Sequence, residues 1–363
     1  AQEYTQFKGA FRGAAEWGAA FLLVPWQQYE FTGDLDLLRT HYAAMKRYFA
    51  YLESRAKDNV LSDGLGDWYD YAPGTGKRAN LTPPPITATA FFYEDARTLG
   101  RIAGLLGHDE DARRLAARAE EIRRAYIAKF RRPADGLYGT GSQASLAIPL
   151  VLGLVDPADR KTVGDALVRD VEHLGYASAG DIGFRYLLRA LADAGRSDVI
   201  YRLINQDEKP GYGYQLKAGA TALAESWHAS REASQNHFML GQVIEWFYHD
   251  LAGIAADPTG PGFKRIMIKP AVVGDLTWVE AGYDSVHGPI AVRWDHVGGK
   301  LKLAVRIPAN TSATVVVPAR AAAAVTESGQ QAERSVGVKL IGRNDDGAVY
   351  AIESGSYVFE TEL

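Results

Sequence analysis

The first 255 residues carry apolar positions at helical spacing. Apolar residues recur every three to four positions along 16–31 and 34–56, and similar stripes follow further on. Gly, Pro, Asp or Asn residues separate each stripe from the next. The further stripes cover 87–106, 109–130, 156–174, 183–194 and 197–205. This pattern predicts tandem helices, as in a helical bundle or an α/α toroid.

Two long connections interrupt the helical pattern. One is 61–85 and the other is 205–219, which is rich in glycine and tyrosine. Long loops on a rigid helical frame commonly carry the functional residues of a protein. We therefore expect binding or catalytic side chains in these two segments.

The hydrophobic period changes to two after the Pro- and Gly-containing stretch 257–262. Apolar and polar residues alternate over several short segments separated by Gly or Pro turns. These segments are 265–269, 301–307, 313–317 and 348–352. They predict an antiparallel β-sandwich of about 100 residues. We place the helical domain at 1–256 and the sandwich domain at 257–363.

Composition excludes several classes of function but does not identify one. The formal net charge is −4 and no run of basic residues is present, so we expect no nucleic-acid or membrane-surface partner. The chain has no cysteine, which excludes disulfides, thiol catalysis and zinc–thiolate sites. No apolar run is long enough to span a membrane.

The densest candidate chemistry lies between residues 219 and 241. Glu225, Trp227 and His228 stand close together there, and Asn236 and His237 follow. A carboxylate performs acid–base work on glycosides, and aromatic rings stack on the apolar faces of a pyranose. The alternative is that Glu225 lies at a helix start and interacts with the dipole, while Trp227 anchors the core. Both interpretations remain open from these residues alone.

The first long loop offers a second group of polar and aromatic side chains. Asp67 and Asp70 can accept hydrogen bonds from sugar hydroxyls, and Trp68 can stack on a sugar ring. The alternative is an Asx-turn pair beside a packed tryptophan. Tyr212 and Tyr214 are either stacking residues or loop anchors.

Other polar residues favour structure over chemistry. We predict that Asp181 caps the helix that follows it. No pair of histidines has metal-ligand spacing around a carboxylate, so we predict no metal site and no cofactor.

Several segments taken in order resemble the C-terminal part of glycoside hydrolase family 78, the α-L-rhamnosidases. They are Glu16–Ala20 with Val24–Trp26, Gly64–Asp70, Gly219–Trp227, Ser234–Gly241, Gly262–Pro270 and Ser285–Ile290. The resemblance covers nearly the whole chain. It implies an (α/α)6 barrel followed by a β-sandwich, and inverting hydrolysis of terminal α-L-rhamnosyl linkages in plant or algal glycans or glycosides. It also favours a bacterial periplasmic or secreted location over a cytoplasmic one.

The resemblance implies roles for individual residues. Glu225 matches the general base of the family, although Ala224 stands where the family often has tryptophan. His237 and Asn236 match the family pattern and either position Glu225 or touch the sugar. Glu16 resembles a residue of a site segment, and we assign it to binding. The substrate-binding residues predicted in this way are Glu16, Trp17, Asp67, Trp68, Asp70, Tyr214, Trp227, His228, Asn236 and His237.

One family feature has no match in this sequence. Family members carry their general acid in an Arg- and Trp-containing motif upstream of the segment that resembles Glu16–Gly18. We therefore expect a family member that lacks its N-terminal modules and the first helices of its barrel. The expected partners are a rhamnose-containing glycoside or oligosaccharide and the N-terminal remainder of the same enzyme.

Two alternative functions stay open. Polysaccharide lyases also join a helical toroid to a β-sandwich, and Asn236, His237 and nearby tyrosines suit β-elimination at a uronate. A non-catalytic glycan-binding protein is the second alternative, supported by the unmatched acid motif. Ultraviolet absorbance of an unsaturated product distinguishes the lyase, and binding without turnover distinguishes the binding protein.

Overall fold

The computed structural model describes residues 13–76, 78–320 and 323–363, and its N-terminal part is helical. Each of the seven helical stripes contains a helix, so that part of the prediction is confirmed. The α-helices are α1 (Ala15–Gly18), α2 (Ala20–Thr32), α3 (Asp36–Arg55), α4 (Pro84–Leu105), α5 (Asp109–Phe130), α6 (Gln143–Leu152), α7 (Arg160–Leu174), α8 (Gly183–Asp193), α9 (Ser197–Ile204), α10 (Tyr212–Lys217) and α11 (Val243–Trp246).

Helix α4 lies in the core of the helical part. It starts with proline in its first turn, where a missing N–H costs nothing. Phe92 of α4 stacks on Phe49 of α3 with ring centroids 5.4 Å apart. Leu115 and Ile122 of α5 are also fully buried. Burial of these apolar stripes is the main stabilising term for helices of this kind.

The structure differs from the predicted elements in three places. Helix α6 was not predicted, because it is apolar on every side and has no polar face to reveal its period. The predicted loop 205–219 contains helix α10, and the residues without helix are instead 218–238. The apolar segment 238–251 lies outside the predicted stripes and contains short helical turns. It comprises a 3-10 turn (Met239–Gln242), α11 and a π-helical turn (Phe247–Leu251).

The C-terminal part forms two β-sheets, as the period of two predicted. The strands are β1 (Ile254–Ala256), β2 (Arg265–Ile268), β3 (Trp278–Ser285), β4 (Gly288–Val297), β5 (Lys300–Ile307), β6 (Ser312–Val317), β7 (Thr326–Glu327), β8 (Gln330–Gln331), β9 (Val338–Asn344), β10 (Gly347–Ile352) and β11 (Gly355–Glu362). One sheet has the order β1-β2-β6-β10-β9 and the other β3-β4-β5-β11-β7-β8. The expectation of purely antiparallel pairing needs one correction, because β2 and β6 run parallel.

The strands bury alternate residues between the two sheets. In β5, Leu301, Leu303 and Val305 are buried, whereas Lys300 and Lys302 are exposed. Tyr350 of β10 stacks on Phe359 of β11 with centroids 5.5 Å apart, which joins the inner faces of the two sheets. The inward residues of both sheets therefore share one core.

The chain separates into two compact groups of residues. One contains 13–26 and 36–243, and the other contains 27–35 and 244–363. Within the described residues, no helix is both long enough and apolar enough to cross a membrane.

Candidate active site

Two segments distant in sequence are held together by backbone hydrogen bonds. The Tyr71 amide donates to the Ser178 carbonyl at 2.8 Å, and the Asp181 amide donates to the Trp68 carbonyl at 2.8 Å. Gly180 permits this close approach, because a Cβ at this position would lie 2.2 Å from the Trp68 carbonyl oxygen. These contacts place residues 67–71 beside residues 178–183.

The carboxylate of Asp67 reinforces this junction. It accepts hydrogen bonds from the backbone amides of Gly180 at 2.7 Å, Ile182 at 3.1 Å and Gly183 at 2.7 Å. Asp67 therefore caps the start of α8 from another part of the chain. Burial raises the pKa of Asp67 to about 7, and the bonds from the amides oppose that rise.

This geometry corrects the role predicted for Asp181. Helix α8 has no capping hydrogen bond from the residues just before it, and Oδ1 of Asp181 is buried without a hydrogen-bond partner among the described residues. The cap comes from Asp67, whose position next to α8 depends on tertiary structure. Asp181 is thus free for another role.

A third segment carries Glu225. The Glu225 amide donates to the Ser234 carbonyl at 2.9 Å, and the Ser234 amide donates to Oε2 of Glu225 at 3.0 Å. The side chain of Gln215 in α10 bonds the backbone on both sides of Glu225, at Ala224 and Ser226. These bonds hold the carboxylate of Glu225 in one orientation.

The three segments meet around Glu225. One carboxyl oxygen each of Asp181 and Glu225 and one ring nitrogen of His237 all lie within 4.8 Å of one another. His237 Nδ1 is 3.9 Å from Glu225 Oε1. The carboxylate of Glu225 lies close enough to the Tyr69 hydroxyl to raise the pKa of that hydroxyl. The structure thus assembles two carboxyl groups, an imidazole and a phenol at one point.

The electrostatics of this group favour one protonated carboxyl. Burial raises the pKa of Asp181 to about 8, and the neighbouring charges of Asp67 and Glu225 add to the shift. Burial and then Glu225 raise the pKa of Tyr69 to about 12, so its hydroxyl stays a donor. A carboxyl pKa raised by burial and by a neighbouring charge is typical of acid–base sites.

Tyr69 was not predicted as a site residue. It lies in the Gly64–Asp70 motif, but periodicity carries no signal for it. Its backbone has a φ of 60°, which is unusual for a residue other than glycine. Strained backbone of this kind is concentrated at functional sites.

A group of aromatic side chains comes from residues that follow Tyr69 and Glu225 closely in sequence. The ring of Tyr71 is 5.1 Å from that of His228 and 5.5 Å from that of Tyr176. Burial raises the pKa of Tyr71, and Tyr214 adds to that rise. Nδ1 of His228 is buried without a partner in the described part of the chain, and burial lowers its pKa. The structure therefore places His228, a predicted binding residue, in an aromatic group with Tyr71 and Tyr176.

Other predicted binding residues have contacts typical of structural positions. Trp227 is 2% exposed, and its indole N–H donates to the Ala179 carbonyl at 2.7 Å. Tyr212 packs edge-on against Trp227 and donates its hydroxyl to the Leu240 carbonyl. Asp70 accepts hydrogen bonds from the amides of residues 80, 81 and 82. These contacts stabilise the segments to which the three side chains belong.

Glu16 is also engaged with backbone. It accepts hydrogen bonds from the Gly66 amide at 3.1 Å and the Thr87 hydroxyl at 2.5 Å, and burial raises its pKa to about 6. Trp17 and Trp68 are half-buried, and Trp68 lies edge-on to Tyr69. Asn236 is exposed next to His237. No contact between Glu16 and the Glu225 cluster is seen among the described residues.

A helical domain, a following β-sandwich and a carboxyl cluster assembled from separate connections are together typical of a glycosidase-type protein. The bacterial α-L-rhamnosidase six-hairpin glycosidase domain matches residues 4–251, and the bacterial α-L-rhamnosidase C-terminal domain matches residues 253–332. The chain belongs to the bacterial α-L-rhamnosidase family.

Relatives with known sequences agree with this assignment. An α-L-rhamnosidase of Streptomyces avermitilis is 32% identical over 96% of this chain and 33% of its own length. An α-L-rhamnosidase of Alteromonas sp. is 30% identical over 84% of this chain and 34% of its own length. The chain thus spans about a third of the length of these relatives. They give no support to the lyase or to the non-catalytic alternative.

Solved structures share the fold. That of the Streptomyces avermitilis α-L-rhamnosidase complexed with L-rhamnose has a TM-score of 0.84 and 30% identity, over 94% of this chain and 32% of that one. That of an α-L-rhamnosidase from Dictyoglomus thermophilum has a TM-score of 0.89 and 30% identity, over 97% of this chain and 40% of that one. The expected rhamnosidase fold is confirmed.

Proposed function

We propose that this chain forms the base-bearing part of an inverting α-L-rhamnosidase. It acts on terminal α-L-rhamnosyl linkages of plant or algal glycans or glycosides. The observation that carries the proposal is the cluster of Glu225, Asp181 and His237, held by three segments of a rhamnosidase-family fold. A relative solved with L-rhamnose supports the choice of sugar.

In this proposal Glu225 is the general base. Its carboxylate takes a proton from a water molecule on one face of the sugar while a general acid protonates the leaving oxygen on the other. The two carboxyl groups of an inverting glycosidase lie roughly 6.5–9.5 Å apart, which leaves room for the water. The relatives are about three times as long as this chain. We propose that the general acid comes from a segment corresponding to the part of the relatives that this chain does not match.

Sugar binding involves the side chains around this cluster. We assign His237, His228, Tyr214 and Trp68 to contacts with the sugar, because each is at least partly exposed near the cluster or its aromatic neighbours. Asp67, Asp70, Glu16 and Trp227 support the loops, since their polar atoms are bonded to backbone or to a buried hydroxyl. Trp17 and Asn236 stay predicted binding residues.

The replacement Glu225→Gln tests the base. A neutral amide cannot take the proton, so kcat should fall by about 10²–10⁴-fold while sugar binding changes little. Turnover of p-nitrophenyl α-L-rhamnoside measures this in a protein that joins the chain to the acid-bearing segment. Proton NMR of the first product should show the anomer opposite to that of the substrate.

The chain by itself should hydrolyse the same substrate poorly. Near-wild-type kcat for Glu225→Gln would remove Glu225 from the mechanism. Appreciable turnover by residues 1–363 alone would mean that the acid lies within them, with Glu16, Asp67 and Asp70 as the carboxyl groups to replace next.

A further inference from the structure

Asp181 is buried beside Glu225 in a way that its own contacts do not explain. Its side chain is 2% exposed, and Oδ1 has no hydrogen-bond partner among the described residues. Buried polar atoms in native proteins are nearly always paired with protein or with ordered water. An unpaired carboxyl oxygen next to a candidate base therefore points to a bound molecule as its partner.

The geometry of the cluster suits a water molecule. One carboxyl oxygen each of Asp181 and Glu225 and one ring nitrogen of His237 lie within 4.8 Å of one another. Three atoms that are at most 4.8 Å apart always have a common point within about 2.8 Å of each of them. A water oxygen at that point would lie at a normal hydrogen-bond distance from all three atoms. Oε2 of Glu225 is occupied by the Ser234 amide, which leaves Oε1 beside the histidine.

We propose that Asp181 is a further catalytic residue, which hydrogen-bonds the attacking water together with Glu225 and His237. This inference rests on the proposed function. In the step, the water oxygen bonds to the anomeric carbon as the glycosidic bond breaks. One water proton passes to Glu225, and the leaving oxygen takes a proton from the general acid, a carboxyl group of the acid-bearing segment.

Asp181 performs this role as a neutral carboxyl group. Glu225, Asp67, Tyr69 and His237 are the titratable groups near it, and burial with the two neighbouring carboxylates raises its pKa to about 8. A neutral carboxyl can donate to the water or accept from it without competing with Glu225 for the transferred proton. An amide can make the same hydrogen bonds, whereas a methyl group cannot.

The two replacements of Asp181 therefore have different expected effects. In the protein that carries the acid, Asp181→Asn should keep kcat within about threefold of wild type. Asp181→Ala should lower kcat by roughly tenfold with little change in KM, because the lost hydrogen bond is to the attacking water and not to the sugar. A loss of sugar binding alone would instead raise KM.

Asp95 provides the matched control. It is also fully buried, with both carboxyl oxygens unpartnered in the described part of the chain, but it lies in α4. Asp95→Asn and Asp95→Ala should both keep wild-type kcat. Wild-type kcat for Asp181→Ala, or an equal loss in Asp181→Asn and Asp181→Ala, overturns the inference. If Glu225→Gln is fully active as well, the proposed function itself fails.

A second measurement does not depend on turnover. A high-resolution crystal structure of residues 1–363 should show an ordered water within about 2.8 Å of Asp181, Glu225 and His237. The same water should be present in Asp181→Asn and absent in Asp181→Ala. A wild-type crystal structure with no water at this point would contradict the role of Asp181, whatever the kinetics of Glu225→Gln.

Discussion

A few buried carboxyl groups in the helical part lie in environments that disfavour charge. Asp95 of α4 is the clearest case, because burial raises its pKa well above the usual value and the charge of Glu94 adds to the shift. The carboxyl of Asp95 is therefore neutral in the folded protein over a pH range in which it is ionised in the unfolded chain. A raised pKa of an acid favours folding at low pH, and this contribution is lost as pH rises above about 3.9, the unfolded value.

The variant Asp95→Asn tests this linkage. Asparagine is neutral at every pH, so the variant should gain stability relative to wild type as pH rises from 4 to 7, by at most about 1.4 kcal/mol per pH unit. Thermal unfolding at pH 4, 5, 6 and 7 measures the difference in Tm. The control is Asp165→Asn on α7, where the bond from Lys161 lowers the pKa of the carboxyl. That variant should show no such gain, and a constant difference for Asp95→Asn would contradict a raised pKa.

At the scale of elements, the start of α8 decides where the site residues lie. Gly183 is the first residue of α8, and a Cβ there would lie 2.4 Å from the Ala144 Cβ and 2.5 Å from Asp67 Oδ2. The capping bond from the Gly183 amide to Asp67 requires this close approach. The packing of α6 against α8 and the Asp67 cap therefore depend on the same glycine.

Gly183→Ala should destabilise the protein by about 1–3 kcal/mol through overpacking. Gly164→Ala in α7 is the control, since no heavy atom lies within 4 Å of the added Cβ. That change should stabilise the protein by about 0.5–1 kcal/mol, because alanine loses less backbone freedom on folding. Urea unfolding of both variants measures the two free energies. Equal effects in the two variants would mean that α8 tolerates the extra carbon atom.

At the scale of the whole molecule, each of the two compact groups of residues is built from two separate stretches of the chain. Residues 27–35 group with 244–363, although the sequence alone favours one division between 256 and 257, which stays our proposal for the domain limits. Phe31 shows the reason, since its ring lies 5.7 Å from that of Phe263 and 6.1 Å from that of Tyr283. A helical segment near the start of the chain thus supplies part of an aromatic core near the sheets.

Phe31→Ala should therefore destabilise the compact group formed by 27–35 and 244–363 by about 1–2 kcal/mol. The expected value is moderate because the ring is half exposed. Hydrogen exchange of the amides of Gly262 and Phe263 and of those in β3 should become faster. Val336→Ala is the control, because Val336 is 95% exposed and its removal should leave exchange unchanged. Unchanged exchange in Phe31→Ala would show that this aromatic group does not contribute to stability.

The sequence by itself determined the class of fold and the position of the candidate base. Periods of 3.6 and 2 predicted the helical part and the sandwich, because both patterns arise from neighbours along one element. The neighbours of Glu225 made it a candidate, and the family resemblance implied its role as the base. Helix α6 was missed, since a helix that is buried on every side has no polar stripe.

Only the tertiary structure decided the partners of Glu225. Sequence favoured Asp181 as a helix cap, yet Asp67 provides that cap, and Asp181 lies beside Glu225 and His237. Tyr69 reaches Glu225 because residues 67–71 are bonded to 178–181 across a long separation in the chain. Periodicity and capping preferences describe a residue's local surroundings, whereas these contacts depend on which distant segments pack together.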